Sequence, residues 1–268
     1  LFVAGCDIAM TDSMLYADVI LPAASHFEYA DIYGAYGQNY VQRAEAIMPC
    51  VGESLPNTEI FRRLAARFGF DDQAFRDSDA QLMDAGFAPS AVPLDQALVM
   101  TSKEGAEPIM CDTVFPATPS GKIELYSDDL EKRFGYGVPR YEPVKRDLPF
   151  TLISPSSSRR TNATFGGCDA SSGIERVEMN PGDAQRLNLE DGQTVRLWND
   201  QGAVALLLCV TDAVLPGVLY SPKGTWLRTS KTGSTVNALI PSHIRTDIEA
   251  GACYNETFVD IALEPVLL

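Results

Sequence analysis

Histidine is almost missing: His26 and His243 are the only two. The six cysteines (Cys6, Cys50, Cys111, Cys168, Cys209 and Cys253) include no C-x-x-C pair. These scarcities argue against the common zinc and iron–sulfur ligand spacings and against a histidine-rich metal site. Positive charge is also short. Lys and Arg total 21 against 36 Asp and Glu, a formal charge of -15. That balance argues against nucleic acid as the main partner, because phosphate backbones are bound by clustered cations. It leaves room for a local basic spot such as Arg159-Arg160. No apolar run approaches the length of a membrane span. Cysteines scattered through mostly apolar surroundings predict reduced, buried thiols and a reducing compartment, taken as the cytoplasm.

An initiator Met and a basic leader are missing as well. LFVAGCD reads as a buried parallel strand, Leu1 to Ala4, entered mid-fold, with Gly5-Cys6-Asp7 as the loop at its C-terminal end. Ligands bind at that edge of open α/β sheets. The expectation is the C-terminal part of something longer. What is present fits a globular chain with real cores: 268 residues, 46% apolar and 21% charged, enough for one large or two ordinary domains.

Thr11-Asp12-Ser13 can cap a short helix, SMLYADV. Val19 to Leu21 reads as a second strand stopped by Pro22, and Ala23 to Asn39 as loop. Asn57 or Thr58 caps the helix TEIFRRLAARFG. Its Ile60, Leu64 and Phe68 fall on one face, Arg62, Arg63 and Arg67 point outward to solvent or another domain, and Gly69 ends it. Helices are expected around Ser78 to Ala85 and Asp95 to Met100. Lys122 to Tyr126 alternates like a strand, and SDDLEKRFG is a short helix. The Pro-rich stretch Gly137 to Pro149 marks a boundary. Beyond it come short strands, FTLIS, RVEMN, TVRLWN, AVALLLCV, GVLYS and FVDIAL, with one helix at NPGDAQRLN. That alternation predicts a compact β-barrel. EDGQ and Asn199-Asp200-Gln201-Gly202 are its hairpin-type turns.

One stretch fits neither period: Gly224 to Leu239, GTWLRTSKTGSTVNAL. A segment this polar that still carries a Trp reads as a loop held against something, whether chain, partner or a flat ligand with many hydrogen-bonding edges. A plain surface loop with a packed Trp is the alternative. Glu28, Asp31 and His26 form a second cluster. In an acidic loop such groups read first as solvated or capping, and second as acid–base or metal-binding.

Four stretches in order resemble the molybdopterin-guanine-dinucleotide oxidoreductases of the dimethyl sulfoxide reductase family. TDSMLYADVILPAASHFEYAD is similar to the family's Thr-acid segment before Ala-Asp-Val-x-Leu-Pro and a Glu. PSGKIELYS resembles its Pro-Ser-Gly-Lys-Ile-Glu-Leu. VEMNPGDAQRLNLEDGQTVRLWNDQGAV resembles its barrel signature. The fourth is Gly224 to Leu239 with its Val-Asn-Ala-Leu, continuing to Tyr254-Asn255-Glu256-Thr257 and the last strand. The resemblance implies an α/β plus β chain: residues 1–148 as the end of an α/β domain with its connecting segment, and 149–268 as a six-stranded double-psi β-barrel (aspartate decarboxylase-like) that binds the dinucleotide. It implies molybdopterin guanine dinucleotide with Mo or W, cycling between Mo(VI) and Mo(IV) in an oxidoreductase. The metal ligand, and any iron–sulfur cluster, would belong to earlier N-terminal domains of the same enzyme. Those domains and an electron-transfer protein are the implied partners, and this chain alone is not expected to be active. No catalytic residue or metal ligand is assigned within it. A non-catalytic nucleotide-binding or assembly module, and a non-redox hydratase-type member, are the alternatives.

The site residues follow from the same resemblance. The loop Ser154 to Asn162, following FTLIS, is dense in hydroxyls and cations suited to a polar, anionic ligand. Ser154, Ser156, Ser158, Arg159, Arg160 and Thr161 are its candidates, although Pro155-Ser156 stands where the family often has Gly-Arg and no His follows. Asn237 matches the family Asn that bonds the pterin, and an amide complements a pyrimidinone edge. Tyr254 aligns with an aromatic. Asn255 stands where Lys is frequent, so a charge is missing there. Trp226 either shields the site or fills core. Gly5, Asp7 and Thr11 lie on the early strand-end loop. DIYGAYGQNYVQ resembles a loop leading from the active site, bringing in Tyr36, Gly37 and Gln42.

Overall fold

The computed structural model describes residues 1–34, 36, 40–87, 98–100, 116–141, 143, 145–171, 175–244, 248, 251 and 253–264. The chain divides into two compact units, Leu1–Leu125 and Tyr126–Leu268.

In the first unit β1 (Ala4–Asp7) pairs in parallel with β2 (Val19–Pro22), Ala4 opposite Val19. The strand thus starts where Leu1 to Ala4 was expected to end, and Gly5-Cys6-Asp7 is strand, not loop. Asp18 explains the shift. Its carboxylate takes the Val3 N–H at 2.8 Å and its own N–H bonds the Val3 carbonyl, which stops pairing before Ala4. The Met14 thioether packs against Gly5 where a Cβ would stand, so a larger residue there would have to displace that flexible side chain. The expected helix SMLYADV is a 3₁₀ turn, Asp12–Tyr16, that Thr11 flanks without a side-chain cap. An antiparallel sheet joins β3 (Asp31–Gly34), β4 (Tyr40–Ala44) and β5 (Leu98–Met100). Part of the expected Ala23–Asn39 loop is therefore strand. So is the described end of the helix expected at Asp95 to Met100, whose other residues lie outside the described ones.

The helix α1 (Asn57–Phe68) ends at Gly69 in the left-handed region (φ 75°), as its sequence predicts. Pro56, not Asn57 or Thr58, precedes its first turn, and no side chain caps it. Ile60 and Ala65 are buried but Phe68 is exposed. Arg62 is not simply outward: it holds Asp79 at 2.6 Å and the Asp77 carbonyl at 2.8 Å, tying α1 to the start of α2 (Asp79–Phe87). No strand forms at Lys122 to Tyr126. Thr118 Oγ1 donates to the Lys122 carbonyl at 2.7 Å and Ser120 Oγ accepts the Lys122 N–H at 3.3 Å, so local bonds take the backbone groups of Lys122 that a ladder would need. The five described cysteines are free, but none is buried, contrary to expectation, and Cys6 and Cys168 are exposed.

The second unit opens with α3 (Asp128–Phe134), capped by Ser127, whose Oγ accepts from Leu130 N–H. Six strands follow: β6 (Phe150–Ile153), β7 (Arg176–Met179), β8 (Thr194–Trp198), β9 (Ala203–Val210), β10 (Val218–Tyr220) and β11 (Thr257–Leu263). They close in the order β10-β6-β11-β8-β9-β7, with β10–β6 and β7–β9 parallel and the remaining pairs antiparallel. This is the mixed double-psi barrel the sequence predicts. Alternation drives it: Phe150 and Leu152, Val195 and Leu197, Val204, Leu206 and Leu208, Val259 and Ile261 all point inward and are buried. The helix α4 (Pro181–Leu187) plugs one end. Asn180 caps it onto Gly182 N–H, and the buried Asp183 accepts from Gly217 N–H at 2.6 Å.

Candidate functional site

Strand direction decides which loops meet. β6, β8 and β10 end, and β7, β9 and β11 begin, at the barrel end opposite α4. Residues 154–171 and 175, the turn Asn199–Gly202, the loop 221–235, the 3₁₀ turn Val236–Leu239 and residues Tyr254–Glu256 therefore share that end.

Its floor is made of hydroxyls. Ser154, Ser221 and Thr257 continue the inward phase of their strands and are almost wholly buried. Ser221 Oγ donates to the Arg176 carbonyl at 2.8 Å and Thr257 Oγ1 to that of Tyr254 at 3.2 Å. Ser154 Oγ is buried with no partner. Asn255 Oδ1 accepts the Ser154 N–H at 3.3 Å, extending the β6–β11 ladder past its end. Ser221 and Thr257 were missed from sequence, although reading the two-residue phase beyond Leu219 and back from Val259 finds both.

Above the floor, Ser157 and Arg160 exchange backbone bonds at 3.1 and 3.3 Å, making a tight turn. Ser156, Ser158, Arg159 and Thr161 are exposed on or beside it. Arg159 has no side-chain partner among the described residues. Arg160 is buried and bidentate to Glu175, at 2.8 and 2.9 Å, with a third bond to Thr225 Oγ1 at 2.7 Å. Its Nε has no partner.

The stretch Gly224 to Leu239 clasps the loop 161–167. Gly224 has φ 104° and approaches the Asn162 carbonyl too closely for any Cβ. Trp226 Nε1 donates to the Ala163 carbonyl at 2.8 Å, and Thr229 Oγ1 to that of Gly166 at 2.7 Å. Trp226 thus fastens two loops, with Arg228 stacked 4.4 Å from its ring centroid. Of the hydroxyls that follow, Ser230 bonds the Ser234 carbonyl and closes the loop on itself. Asn237 differs. Val236 and Leu239 anchor its 3₁₀ turn in the core, while its own amide is exposed and unbonded among the described residues. Asn199 Nδ2 fixes that turn through the Leu239 carbonyl at 2.7 Å and the Phe258 carbonyl at 3.2 Å. Lys223 Nζ lies 4.5 Å from the Tyr254 ring.

Gly5, Asp7 and Thr11 belong to the first unit. Asp7 caps its own loop through Ile8 N–H at 2.7 Å, and Thr11 Oγ1 is buried and unbonded. Burial first, then the Asp7 carboxylate, raises the Cys6 thiol, which disfavours a reactive thiolate. Tyr36 and Gln42 are exposed, and Gly37 lies outside the described residues. Glu28 is structural. It accepts from Ser25 N–H and Val51 N–H, both at 2.6 Å, and from Ser54 Oγ at 3.2 Å. Bonding from Ser25 foremost draws its pKa to about 2. Among the described residues no three His, Cys, Asp or Glu side chains group to hold a metal ion, and no helix is long and apolar enough to cross a membrane. A cleft of about 260 Å³ between Asp31, Asn57 and Asp79 contains none of the predicted cofactor residues.

The barrel is closed and six-stranded, and one end gathers buried hydroxyls with an amide and a cation that have no partner among the described residues. Comparison with known proteins makes the class specific. Residues 150–258 match the molydopterin dinucleotide binding domain and residues 1–67 the molybdopterin oxidoreductase domain, together more than half of the chain. The chain belongs to the molybdopterin oxidoreductases of the dimethyl sulfoxide reductase family. It is 34% identical over 266 residues to the probable oxidoreductase YoaE of Bacillus subtilis, covering 95% of this chain and 39% of that protein. It is 26% identical to the dimethyl sulfoxide/trimethylamine N-oxide reductase of Cereibacter sphaeroides, over 82% of this chain and 32% of the relative. Acetylene hydratase from Pelobacter acetylenicus shares the fold, with a TM-score of 0.75 at 20% identity, over 98% of this chain and 40% of that one. The chain thus spans between about a third and two fifths of the relatives' lengths.

Proposed function

We propose that the loop-bearing end of the barrel holds a molybdopterin guanine dinucleotide carrying Mo or W, and that the whole protein is an oxidoreductase. The observation that carries this reading is the set of unspent polar groups there: Ser154 Oγ and Arg160 Nε, both buried without a partner, and the exposed Asn237 amide and Arg159 guanidinium. Buried donors without acceptors are costly unless a ligand or water completes them. Their chemistry fits the cofactor. Asn237 offers one acceptor and two donors to a pyrimidinone edge. Arg159 supplies charge for a pyrophosphate. Ser156, Ser158 and Thr161 add short hydroxyls, and Tyr254 an aromatic face. Asn255 accepts the Ser154 N–H through Oδ1, which leaves its amide N–H groups as neutral donors.

When bound, the cofactor supplies the two-electron metal centre for oxygen-atom or hydride-equivalent transfer. This chain's part is to bind, orient and exclude water. Residues 149–268 make the dinucleotide-binding barrel and 1–148 the α/β portion. The protein ligand to the metal and any iron–sulfur cluster belong to parts of the whole protein outside this chain, and an electron-transfer protein is its partner. Sulfoxide reductases among the relatives favour a redox reaction over hydration. The free described cysteines support a reducing compartment, the cytoplasm. The test is the full gene product made in a host that synthesises the cofactor. Mo or W by elemental analysis, with guanine-linked pterin fluorescence after oxidation, is expected, and protein free of both rejects the proposal.

A further inference from the structure

One buried guanidinium joins three segments at the candidate site. Arg160 is 7% exposed and its partner Glu175 14%. Both carboxylate oxygens are engaged, and the third bond reaches Thr225 Oγ1. The segments are the turn after β6, the entry to β7 and the loop after β10. Glu175 is itself fixed, because its carbonyl accepts from Leu207 N–H of β9 at 2.8 Å. A bidentate fork sets orientation as well as distance, which a lysine cannot do. Burying such a pair is a poor source of net stability, since apolar replacements often do as well. Geometry is the better reason for it. The turn that Arg160 fixes carries the exposed Arg159, and the loop that Thr225 fixes carries Trp226.

We propose that Arg160, Glu175 and Thr225 are positioning residues: a clasp that sets the spacing of the two loops across which a pyrophosphate-bearing dinucleotide lies. The inference rests on the cofactor-binding reading above and adds what shapes that site. Arg160 Nε, buried and unpartnered, is a donor of the clasp left over for the ligand or an ordered water. Neither Glu175 nor Thr225 needs to touch the dinucleotide.

The test uses this chain with guanosine diphosphate, the guanosine and pyrophosphate end of the cofactor, as the probe. Affinity is read by calorimetry well below the melting temperature, and loop order by hydrogen exchange at the Ser157 and Arg160 amides. Glu175→Gln and Arg160→Lys should each weaken binding about tenfold or more, the usual loss when a partner that orients a binding group is removed, and should speed exchange at both amides. Melting temperature alone would report a merely structural role. Folded Glu175→Gln and Arg160→Lys variants that bind like wild type overturn the clasp. Thr225→Val removes only the third bond and keeps the test open if the others melt: a loss of about threefold or more is expected, and unchanged affinity in a folded protein overturns the proposal. Wild-type chain that does not bind the nucleotide at all rejects the underlying reading, and the clasp with it.

Discussion

Gly224→Ala should open the clasp between the loops 161–167 and 224–229 while leaving the barrel standing. Gly224 sits at φ 104°, and an added methyl group would strike the Asn162 carbonyl. A non-glycine residue in such a conformation costs about 1–3 kcal/mol before any clash. The chain can escape by letting the loops part. That forfeits the Trp226 Nε1–Ala163 and Thr229 Oγ1–Gly166 hydrogen bonds, at 2.8 and 2.7 Å, each worth about 1 kcal/mol net. Whichever route is cheaper, the closed clasp loses about 2 kcal/mol, or roughly 30-fold in its opening equilibrium. Native-state hydrogen exchange reads this directly. The amides of Gly166 and Cys168, bonded to Ala163 and Phe165, should exchange about 30-fold faster. Those of Val195 and Leu206, paired within β8 and β9, should change little. Unchanged exchange at Gly166 would refute the reasoning, because the close approach would then not constrain the loops.

Other perturbations separate core, site and charge. Leu206→Ala removes a fully buried side chain from the barrel centre and should cost about 2–5 kcal/mol in denaturant unfolding. Asn237→Ala should leave melting nearly unchanged, since the amide is exposed and unbonded among the described residues, yet lower pterin content in the full gene product; unchanged content would remove Asn237 from the site. For Glu28 the folded pKa, about 2, lies below the ordinary 4.5. The unfolded chain therefore binds more protons between those values. The stabilisation is fully present above pH 4.5 and is lost as pH falls through about 2. Acid titrations should show Glu28→Gln with a flatter stability profile across that window than wild type.

The barrel was legible because its information is local. Two-residue alternation in TVRLW and AVALLLCV, Asn180-Pro181 at a helix start and Asn199 to Gly202 at a turn each specify their own geometry. Errors fell where a side chain outside the segment decides. Asp18 moves the first strand, and Thr118 and Ser120 spend the Lys122 backbone groups of a strand that alternation alone would place at Lys122 to Tyr126. At the candidate site, composition drew attention to the polar loops but not to their inner partners. Arg160 reads as a free cation in sequence, because nothing local announces Glu175 fifteen residues on. Trp226 was open between two readings until Ala163, 63 residues away, supplied its hydrogen bond. Pairings of that kind depend on the closed order of strands, which no single segment encodes.

The most direct test of the account is an NMR titration of this chain with guanosine diphosphate, assigned residue by residue. The account predicts saturable shifts concentrated on Ser154 to Thr161, Lys223 to Trp226, Asn237 and Tyr254 to Asn255, with α4 at the opposite end silent. Saturable shifts centred on α4, or none anywhere, would contradict it.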